Sequence, residues 1–492
     1  MRSIAIALAM GILAVAASAQ VLPTFTEMKG RLNEKSLPIV NLTVDIASVS
    51  KPVYTSAIIE IVDPLARTEG SQDATYNCKV KYRGNTSLRY DKKSFNVKML
   101  NASGKSLDVG VMGIREDDAW ILDAMAIDRM RMRNRLNFDI WNDMSGTPYS
   151  TDYDQRNGTR GYFVELFING KYHGLYCLSD KVNRKLLGIK KADKDSEGYP
   201  VIKGVMYKGD QWSDATRLNG YYEQSMTGPS WNEWELDYPD DYPCEEAYSP
   251  LRDFIDFCAS SSDGKFADQT DEYMYIDNVA DYQVFVLAQG LRDNLMKNSY
   301  LSIVNINKGH RMMITPWDLD CSLGGEWDGT YYNEPANLEK LMDVGLFRRL
   351  WLTNLRGYQT TVADRWRTLS ANGGVLSAKA FDKRVDTYVR QIMESGAWAR
   401  EYAVWNGNPV ELKEDLDLEA DYIKEWYATN TANLAKVVFG GIESGISSVD
   451  DTRRGSDGTL YNMMGQKVNS AYKGIVISGG RKHMSNGAPS IW

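Results

Sequence analysis

The segment 293–320 holds the side chains of this sequence that are best suited to chemistry. Asp293 is followed five residues later by Asn298, then by a strand-like run, a turn, and the acidic pair Asp318 and Asp320. Phosphoryl transfer requires this kind of layout, because one aspartate orients the attacking hydroxyl and accepts its proton, while an amide oxygen and another carboxylate hold Mg²⁺ on the phosphates. The segment therefore indicates a metal-dependent phosphoryl-transfer site.

The spacing of the acidic and amide residues is similar to that of protein kinases, with two departures. Asp-x₄-Asn is the spacing of the kinase catalytic loop, but residues 291–293 read Leu-Arg-Asp in place of His-Arg-Asp. Residues 318–320 read Asp-Leu-Asp in place of Asp-Phe-Gly. Asp-x₄-Asn alone occurs by chance in many loops; its position before a hairpin and an acidic pair strengthens the signal.

Two basic segments could supply phosphate contacts. In 81–95 a strand leads into an Arg-Gly turn and a lysine pair, so backbone N–H groups with Arg83 and Lys93 could contact phosphates. The segment has no Walker or Gly-x-Gly-x-x-Gly pattern, and a charged hairpin turn is the alternative. Arg129 and Arg133 are four residues apart on a predicted helix, and either an acidic site or a solvated basic face accounts for them.

Composition places the chain among ordinary globular proteins. Its 492 residues are 43% hydrophobic and 25% charged, enough for roughly three structural units. The net charge of −8 argues against a general nucleic-acid binder, because no excess of cations would neutralise phosphates. Only three widely separated histidines occur, so a histidine-rich zinc site or a Ser-His-Asp triad is hard to build.

The elements that must position these residues divide into a β-rich part and a helical part. Strands are predicted at 39–44, 57–62, 76–82 and 95–99, a helix at 130–141, and a hairpin at 161–178 around Asn169-Gly170. From residue 251 onward, apolar residues recur at helical spacing over 347–369, 381–392 and 422–434. The fold class predicted is α+β.

An aromatic, acidic insertion occupies 209–249. It could line a groove for sugar or peptide, but a long surface loop that packs its own aromatic side chains is favoured.

Five cysteines occur, an odd number. Cys244 and Cys258 are the closest pair and the best candidates for a disulfide. Cys321 lies beside the acidic motif, and a small buried thiol is favoured over a nucleophile because no histidine is near it in sequence.

Both ends of the chain indicate export. Residues 1–19 have the basic start, short apolar run and small-residue cleavage site of a signal peptide, and nothing later predicts a transmembrane segment. A lead-in segment follows at 20–36. After a Gly- and Ser-rich linker at 441–458, residues 459–492 resemble the C-terminal sorting tails of the bacterial type IX secretion system, with a plain β-hairpin as the alternative.

The ordered motifs together resemble the CotH kinase family of secreted and spore-coat proteins, over about residues 37–438. The matching residues are Arg83-Gly84-Asn85-Thr86-Ser87 with Lys92-Lys93-Ser94-Phe95, Asp128-Arg129 with Met132-Arg133-Asn134, Val164 to Gly170 with Gly174-Leu175-Tyr176, and Asp293 with Asn298 and Pro316 to Asp320. The resemblance implies an atypical protein-kinase-like fold with a β-rich N-lobe at about 37–180 and a helical C-lobe at about 181–440. It also implies transfer of phosphate from ATP to proteins.

Carried over by position, the resemblance makes Asp293 the catalytic base and Asp318 the principal Mg²⁺ or Mn²⁺ ligand. Asn298 is the second ligand and Asp320 supports the metal. Arg83 and Lys93 are the phosphate contacts. Asp180 departs from the glutamate usual in the family and is left out of the site.

The function expected is that of an exported ATP-dependent protein kinase acting on secreted or cell-envelope proteins. Because ATP is scarce outside the cytoplasm, the alternative is a catalytically silent surface or matrix protein that binds glycan or protein through the aromatic insertion. Nucleotidyl transfer by the same fold is a third possibility. The final location, whether periplasm, cell surface or medium, is left open.

Overall fold

The computed structural model describes residues 21–67, 73–152, 154–442, 460–462, 467–468, 473–478 and 481–486. The signal peptide predicted at 1–19 lies outside these residues, as does nearly all of the linker predicted at 441–458. A mixture of helices and sheets confirms the predicted α+β class.

Seven strands near the beginning of the chain close into a barrel. In chain order, with the helices between them, the elements are α1 (Phe25–Lys29), β1 (Ile39–Val44), β2 (Thr55–Val62), β3 (Asp73–Arg83), β4 (Ser94–Leu100), β5 (Ala119–Asp123), α2 (Arg133–Met144), β6 (Gly161–Ile168) and β7 (Lys171–Asp180). The strand order is β1-β2-β3-β4-β5-β7-β6, and β6 closes the barrel by pairing parallel with β1. Alternating apolar side chains such as Ile59, Val80 and Val97 fill the interior.

The predicted hairpin is confirmed as β6 and β7. Asn169 and Gly170 both have positive φ, as a two-residue type I′ turn requires, and the turn matches the twist of the flanking strands. The predicted strands are likewise confirmed, with ends shifted by up to three residues.

A second sheet and most of the helices follow the barrel. The elements are β8 (Asp193–Lys194), β9 (Pro200–Val201), β10 (Val205–Gly209), β11 (Ser230–Trp231), β12 (Trp234–Tyr238), α3 (Glu245–Ser260), α4 (Asp263–Tyr273), α5 (Ile276–Gln289), β13 (Ser299–Ile303), β14 (Met313–Pro316), α6 (Gly345–Thr353), α7 (Tyr358–Ser370), α8 (Ala378–Glu394), α9 (Ala397–Trp405) and α10 (Asp417–Asn433). The sheet order is β11-β12-β10-β13-β14, and this sheet and the helices share one large hydrophobic core.

The apolar stripe predicted over 347–369 belongs to two helices rather than one. Between α6 and α7 the backbone of Asn354, Arg356 and Gly357 has positive φ, which a right-handed helix cannot contain. The spacing continues across the break because both helices contribute to the same core.

The predicted disulfide between Cys244 and Cys258 is wrong, because all five cysteines are free. Cys244 is the residue immediately before α3, and Cys258 lies in that helix fourteen residues later. At the helical rise their Cα atoms are about 21 Å apart, three times the reach of a disulfide. Cys321 is a buried thiol, as predicted, and burial raises its pKa well above the usual range.

The insertion 209–249 is more than a surface loop. It contains β11 and β12, whose Trp231 and Trp234 are fully buried in the main core. Trp231 also packs against Tyr221 of the insertion, with ring centroids 5.0 Å apart. Trp212 is 37% exposed and lines the cavity described below.

Four short strands occur in the tail, in the order β16-β15-β17-β18. They are β15 (Leu460–Asn462), β16 (Lys467–Val468), β17 (Lys473–Ser478) and β18 (Arg481–Asn486). The sorting role of this tail stays a prediction. Among the described residues, no helix is both long enough and apolar enough to cross a membrane.

Candidate functional site

A cavity of about 1030 Å³ lies between the outer face of the barrel and the second sheet. Five of the six predicted site residues line it, namely Arg83, Asp293, Asn298, Asp318 and Asp320. The sixth, Lys93, does not. Its ammonium group donates to the carbonyl of Leu88 at 2.7 Å and to that of Tyr90, so it holds the turn before β4.

Asp293 is held by the two residues that end its loop. Lys297 donates from Nζ to both carboxylate oxygens, at 2.8 and 2.6 Å, and the amide nitrogen of Asn298 donates to Oδ2 at 2.9 Å. Because the Asn298 side chain uses its nitrogen for this bond, its Oδ1 is left as an acceptor for a cation.

The loop reaches this geometry through unusual backbone. Met296 and Asn298 both have positive φ, and Asn298 donates its N–H to the carbonyl of Gly209, at 2.9 Å. A Cβ at Gly209 would lie 2.3 Å from the carbonyl oxygen of Met296, so only glycine allows β10 to approach the loop this closely. The buried Asn294 completes the support, donating to the carbonyls of Asn298 and Trp317.

Asp318 follows β14 in a left-handed conformation, with φ of 56°. Helix α2 holds the segment after it: Asn134 accepts the N–H of Leu319 at 3.0 Å, and Asn137 donates to the carbonyl of Leu319 and the hydroxyl of Ser322. The left-handed backbone at Asp318 and the contacts from α2 together orient its side chain. This side chain is exposed to the cavity.

The two arginines of the second basic segment are structural. Arg133 opens α2, where it is buried and ion-paired with Asp128 at 2.5 Å, and its Nε donates to the carbonyl of Ser322. Arg129 precedes the helix, donates to the carbonyl of Gly329 at 2.9 Å and lies over the ring of Tyr331. Neither forms a solvated helix face; both support the segment that follows Asp320.

Asp123, at the end of β5, is a cavity residue that the sequence reasoning missed. One oxygen accepts from Asn134 at 2.8 Å, so the same asparagine side chain joins Asp123 to Leu319. Asp123 thus makes a fourth carboxylate beside Asp293, Asp318 and Asp320, and we call these four the carboxylate cluster.

The carboxylate cluster carries excess negative charge. Desolvation by the cavity walls, followed by the charges of Asp123 and Asp293, raises the pKa of Asp318, although Arg83 and Lys208 oppose the shift. Burial and the neighbouring carboxylates raise the pKa of Asp320 well above its usual range. Within the described residues neither side chain accepts a hydrogen bond or forms an ion pair. An all-oxygen set with surplus charge is what Mg²⁺ or Mn²⁺ requires, so these residues fit such an ion.

Cations face the cluster from the barrel and from β10. Arg83 ends β3, lies 5.2 Å from the ring centroid of Trp317, and is followed by Gly84, where a Cβ would collide with the Ser87 hydroxyl. Lys208 on β10 pairs with Asp210 at 3.0 Å. Lys208 and Lys297 were not among the site residues predicted from the sequence. For Lys297, its position directly before Asn298 was a signal that could have identified it.

Another acidic group lies elsewhere on the barrel. The carboxylates of Asp108, Asp117 and Asp118 lie within 4.8 Å of one another. Lys185 contacts all three, and Arg115 pairs with Asp117 at 2.6 Å, so internal cations already occupy the place of a metal.

Comparison with known proteins connects the site to one family. A family model described as CotH kinase protein matches residues 80–434, which include the carboxylate cluster and all six predicted site residues. No curated protein matches the chain.

Proposed function

The chain belongs to the CotH kinase family, and from that premise we propose that it is an exported protein kinase that transfers the γ-phosphate of ATP to hydroxyl side chains of secreted or cell-envelope proteins. The observation that carries the proposal is the carboxylate cluster in a cavity large enough for a nucleotide. Neighbouring carboxylates help to raise the pKa values of Asp318 and Asp320, and neither of these two side chains forms an ion pair with a described residue.

The oxygen atoms that would hold a divalent ion belong to Asp318, Asn298 and Asp320. When bound, such an ion neutralises charge on the phosphates that develops during transfer. Asp318 accepts no hydrogen bond from any described residue, and Asn298 presents Oδ1, so both can act as ligands without breaking an existing contact.

Asp293 orients the acceptor hydroxyl and takes its proton. Lys297 and Asn298 fix the Asp293 carboxylate. The oxygen that accepts the proton is therefore already in position before the reaction. Asn298 connects Asp293 to the metal site. Its side-chain nitrogen donates to Asp293, and its Oδ1 is available to the ion.

Arg83 and the turn after it contact the phosphates. Gly84, which has positive φ, and the turn residues 85–87 line the cavity beside Arg83, where backbone N–H groups can donate hydrogen bonds to phosphate oxygens. Lys93 acts indirectly in this arrangement, because it binds the carbonyls that end the same turn.

Calorimetry with ATP and Mg²⁺ or Mn²⁺ tests the proposal. Wild-type protein should bind ATP only with the ion, and Asp318→Asn should lose this binding. Asp293→Asn should keep it, while phosphoryl transfer to secreted proteins falls about 10²–10⁴-fold. Asp328→Asn, at an exposed carboxylate outside the cluster, is the matched control. Absence of binding at millimolar ATP, or full binding by folded Asp318→Asn, would overturn the proposal.

A catalytically silent binding protein is the second candidate, and the exposed Trp212 on the cavity wall favours it. Glycan binding that survives Asp293→Asn and is lost in Trp212→Ala would support this alternative. Mass spectrometry of the acceptor separates the third possibility, because nucleotidyl transfer leaves adenylate rather than phosphate on the target.

A further inference from the structure

Five lysines form a basic surface on the outer face of the barrel, beside the cavity. They are Lys51, Lys79, Lys81, Lys98 and Lys181, and we call them the lysine patch. Lys51, Lys81 and Lys181 line the cavity, whereas Lys79 and Lys98 lie beyond its wall. The patch therefore begins in the proposed active site and continues out of it.

The lysine patch lacks internal compensation. Lys79 and Lys98 are directly opposite each other in the β3–β4 register, a like-charge pairing that destabilises a sheet. Nζ of Lys79 and Nζ of Lys81 both lie about 5 Å from the ring centroid of Tyr54. Burial and the charges of Lys181, Lys98 and Lys51 lower the pKa of Lys81.

Few acidic groups face the patch, and two of them contact cations outside it. Asp118 contacts Lys185 at 3.5 Å, and Glu235 contacts Lys208 at 3.6 Å. Asp237 forms an ion pair with Lys181 of the patch, at 3.8 Å. Throughout the described part of the chain, Lys51, Lys79, Lys81 and Lys98 have no carboxylate within ion-pair distance. Four uncompensated cations on a protein of net charge −8 indicate an anionic partner.

The spacing of the cations favours an extended polypeptide. Lys79 and Lys81 are alternate residues of one strand face, about 7 Å apart, which is also the separation of alternate side chains in an extended peptide. Lys98 lies directly across from Lys79 on the neighbouring strand, where the Cβ atoms of paired residues are about 5 Å apart. The closed barrel leaves no free edge at β3, so such a segment binds through its side chains and not by adding a strand.

We propose that the lysine patch binds an acidic, extended segment of the protein that accepts the phosphoryl group. Naming this partner as the acceptor rests on the proposed function; binding of the acidic segment does not. Since the patch continues into the cavity, a segment held on Lys79 and Lys98 enters the site beside Lys81 and Arg83.

The test measures binding of a labelled peptide of alternating Glu and Ser by fluorescence anisotropy. Wild-type protein should bind it, more weakly as salt rises, and Lys79→Glu with Lys98→Glu should weaken binding at least about tenfold. Lys105→Glu with Lys379→Glu changes net charge equally at exposed positions elsewhere and should have less than about a twofold effect. A cooperative thermal unfolding transition in the patch variant shows that it is folded.

Two further readouts separate this inference from the proposed function. The affinity of the patch variant for ATP and Mg²⁺ should equal that of wild type, and phosphorylation of the Glu-Ser peptide should show a raised KM with unchanged kcat. Failure of ATP binding in wild type would overturn the kinase proposal and leave the peptide result intact. Equal peptide binding by patch and control variants, or dextran sulfate binding as tightly through the same lysines, would overturn the acidic-segment site.

Discussion

Two groups of charged side chains lie between the barrel and the helical region, and they are built in opposite ways. Lys92, Arg131 and Glu401 form a closed group, fully buried, in which each charge meets a partner. The carboxylate cluster has four like charges and opens into the cavity. The charges of the closed group stabilise the fold, whereas those of the carboxylate cluster remain available to a ligand.

The closed group and its contacts join four segments of the chain. Glu401 on α9 accepts from Lys92 at 2.6 Å and from Arg131 at 2.7 Å through one oxygen, and from the N–H of Leu175 at 2.7 Å through the other. The two neighbouring cations lower the pKa of Glu401 although burial opposes the shift. Both cations depend on the single Glu401 carboxylate, and all three side chains are fully buried, so the group serves the fold and is closed to a ligand.

Removing the shared anion should produce the largest effect. Glu401→Gln leaves Lys92 and Arg131 buried without a counter-charge, which should cost about 3–5 kcal/mol of unfolding free energy. Urea denaturation measures the loss. Glu425→Gln, at an exposed position of α10, should change stability by less than about 0.5 kcal/mol. Similar stability of the two variants would show that the closed group is not structural.

The second largest effect should be a loss of stability in acid, caused by protonation of His173 near the closed group. Burial, followed by the charge of Lys92, lowers the pKa of His173 to about 4 beside the Trp405 ring. The unfolded chain takes up a proton near pH 6.5, before the folded protein does, so stability should fall between about pH 6.5 and pH 4, by up to about 3 kcal/mol.

Urea denaturation at several pH values measures this loss. His173→Asn should flatten the acid dependence, whereas His310→Asn, on an exposed turn, should leave it unchanged. An acid dependence that persists in full in His173→Asn would contradict the assignment.

Removing a charge from the carboxylate cluster should have the smallest effect on the free energy of unfolding, and it should not lower it. The pKa of Asp318 is raised, so its ionisation opposes folding, and Asp318→Asn should unfold no more easily than wild type. Mg²⁺ at about five times its dissociation constant should stabilise wild type by about 1 kcal/mol.

Thermal unfolding with and without Mg²⁺ checks this difference. Asp318→Asn should lose the Mg²⁺-dependent increase in unfolding temperature, and Asp328→Asn should keep it. An increase retained in Asp318→Asn would place the ion outside the carboxylate cluster.

Local chemistry made several features predictable from the sequence. The Asn169-Gly170 turn and the alternating strands depend on neighbouring residues, and so does the order of motifs that placed Asp293, Asn298 and Asp318 in one site. The different roles of the adjacent Lys92 and Lys93 were harder to predict. Lys92 contacts Glu401 of α9, more than 300 residues later, whereas Lys93 contacts the carbonyls of the nearby turn.

Features set by distant contacts could not be predicted. Asp123 enters the carboxylate cluster only because α2 brings Asn134 between it and Leu319. Cys244 and Cys258 are near in sequence, but a helix separates them. The break at Asn354 leaves the apolar spacing intact, so periodicity gives no sign of it.

The parallel pairing of β1 with β6 has a consequence for folding. Ile39 pairs with Glu165, so closing the barrel requires a loop of about 125 residues to form, a slow step because the entropy of loop closure is lost before the contacts are gained. Until the β6–β7 hairpin is available, β1 has only one of its two neighbours. The barrel therefore cannot close until the chain has been synthesised at least as far as the end of β6, at Ile168.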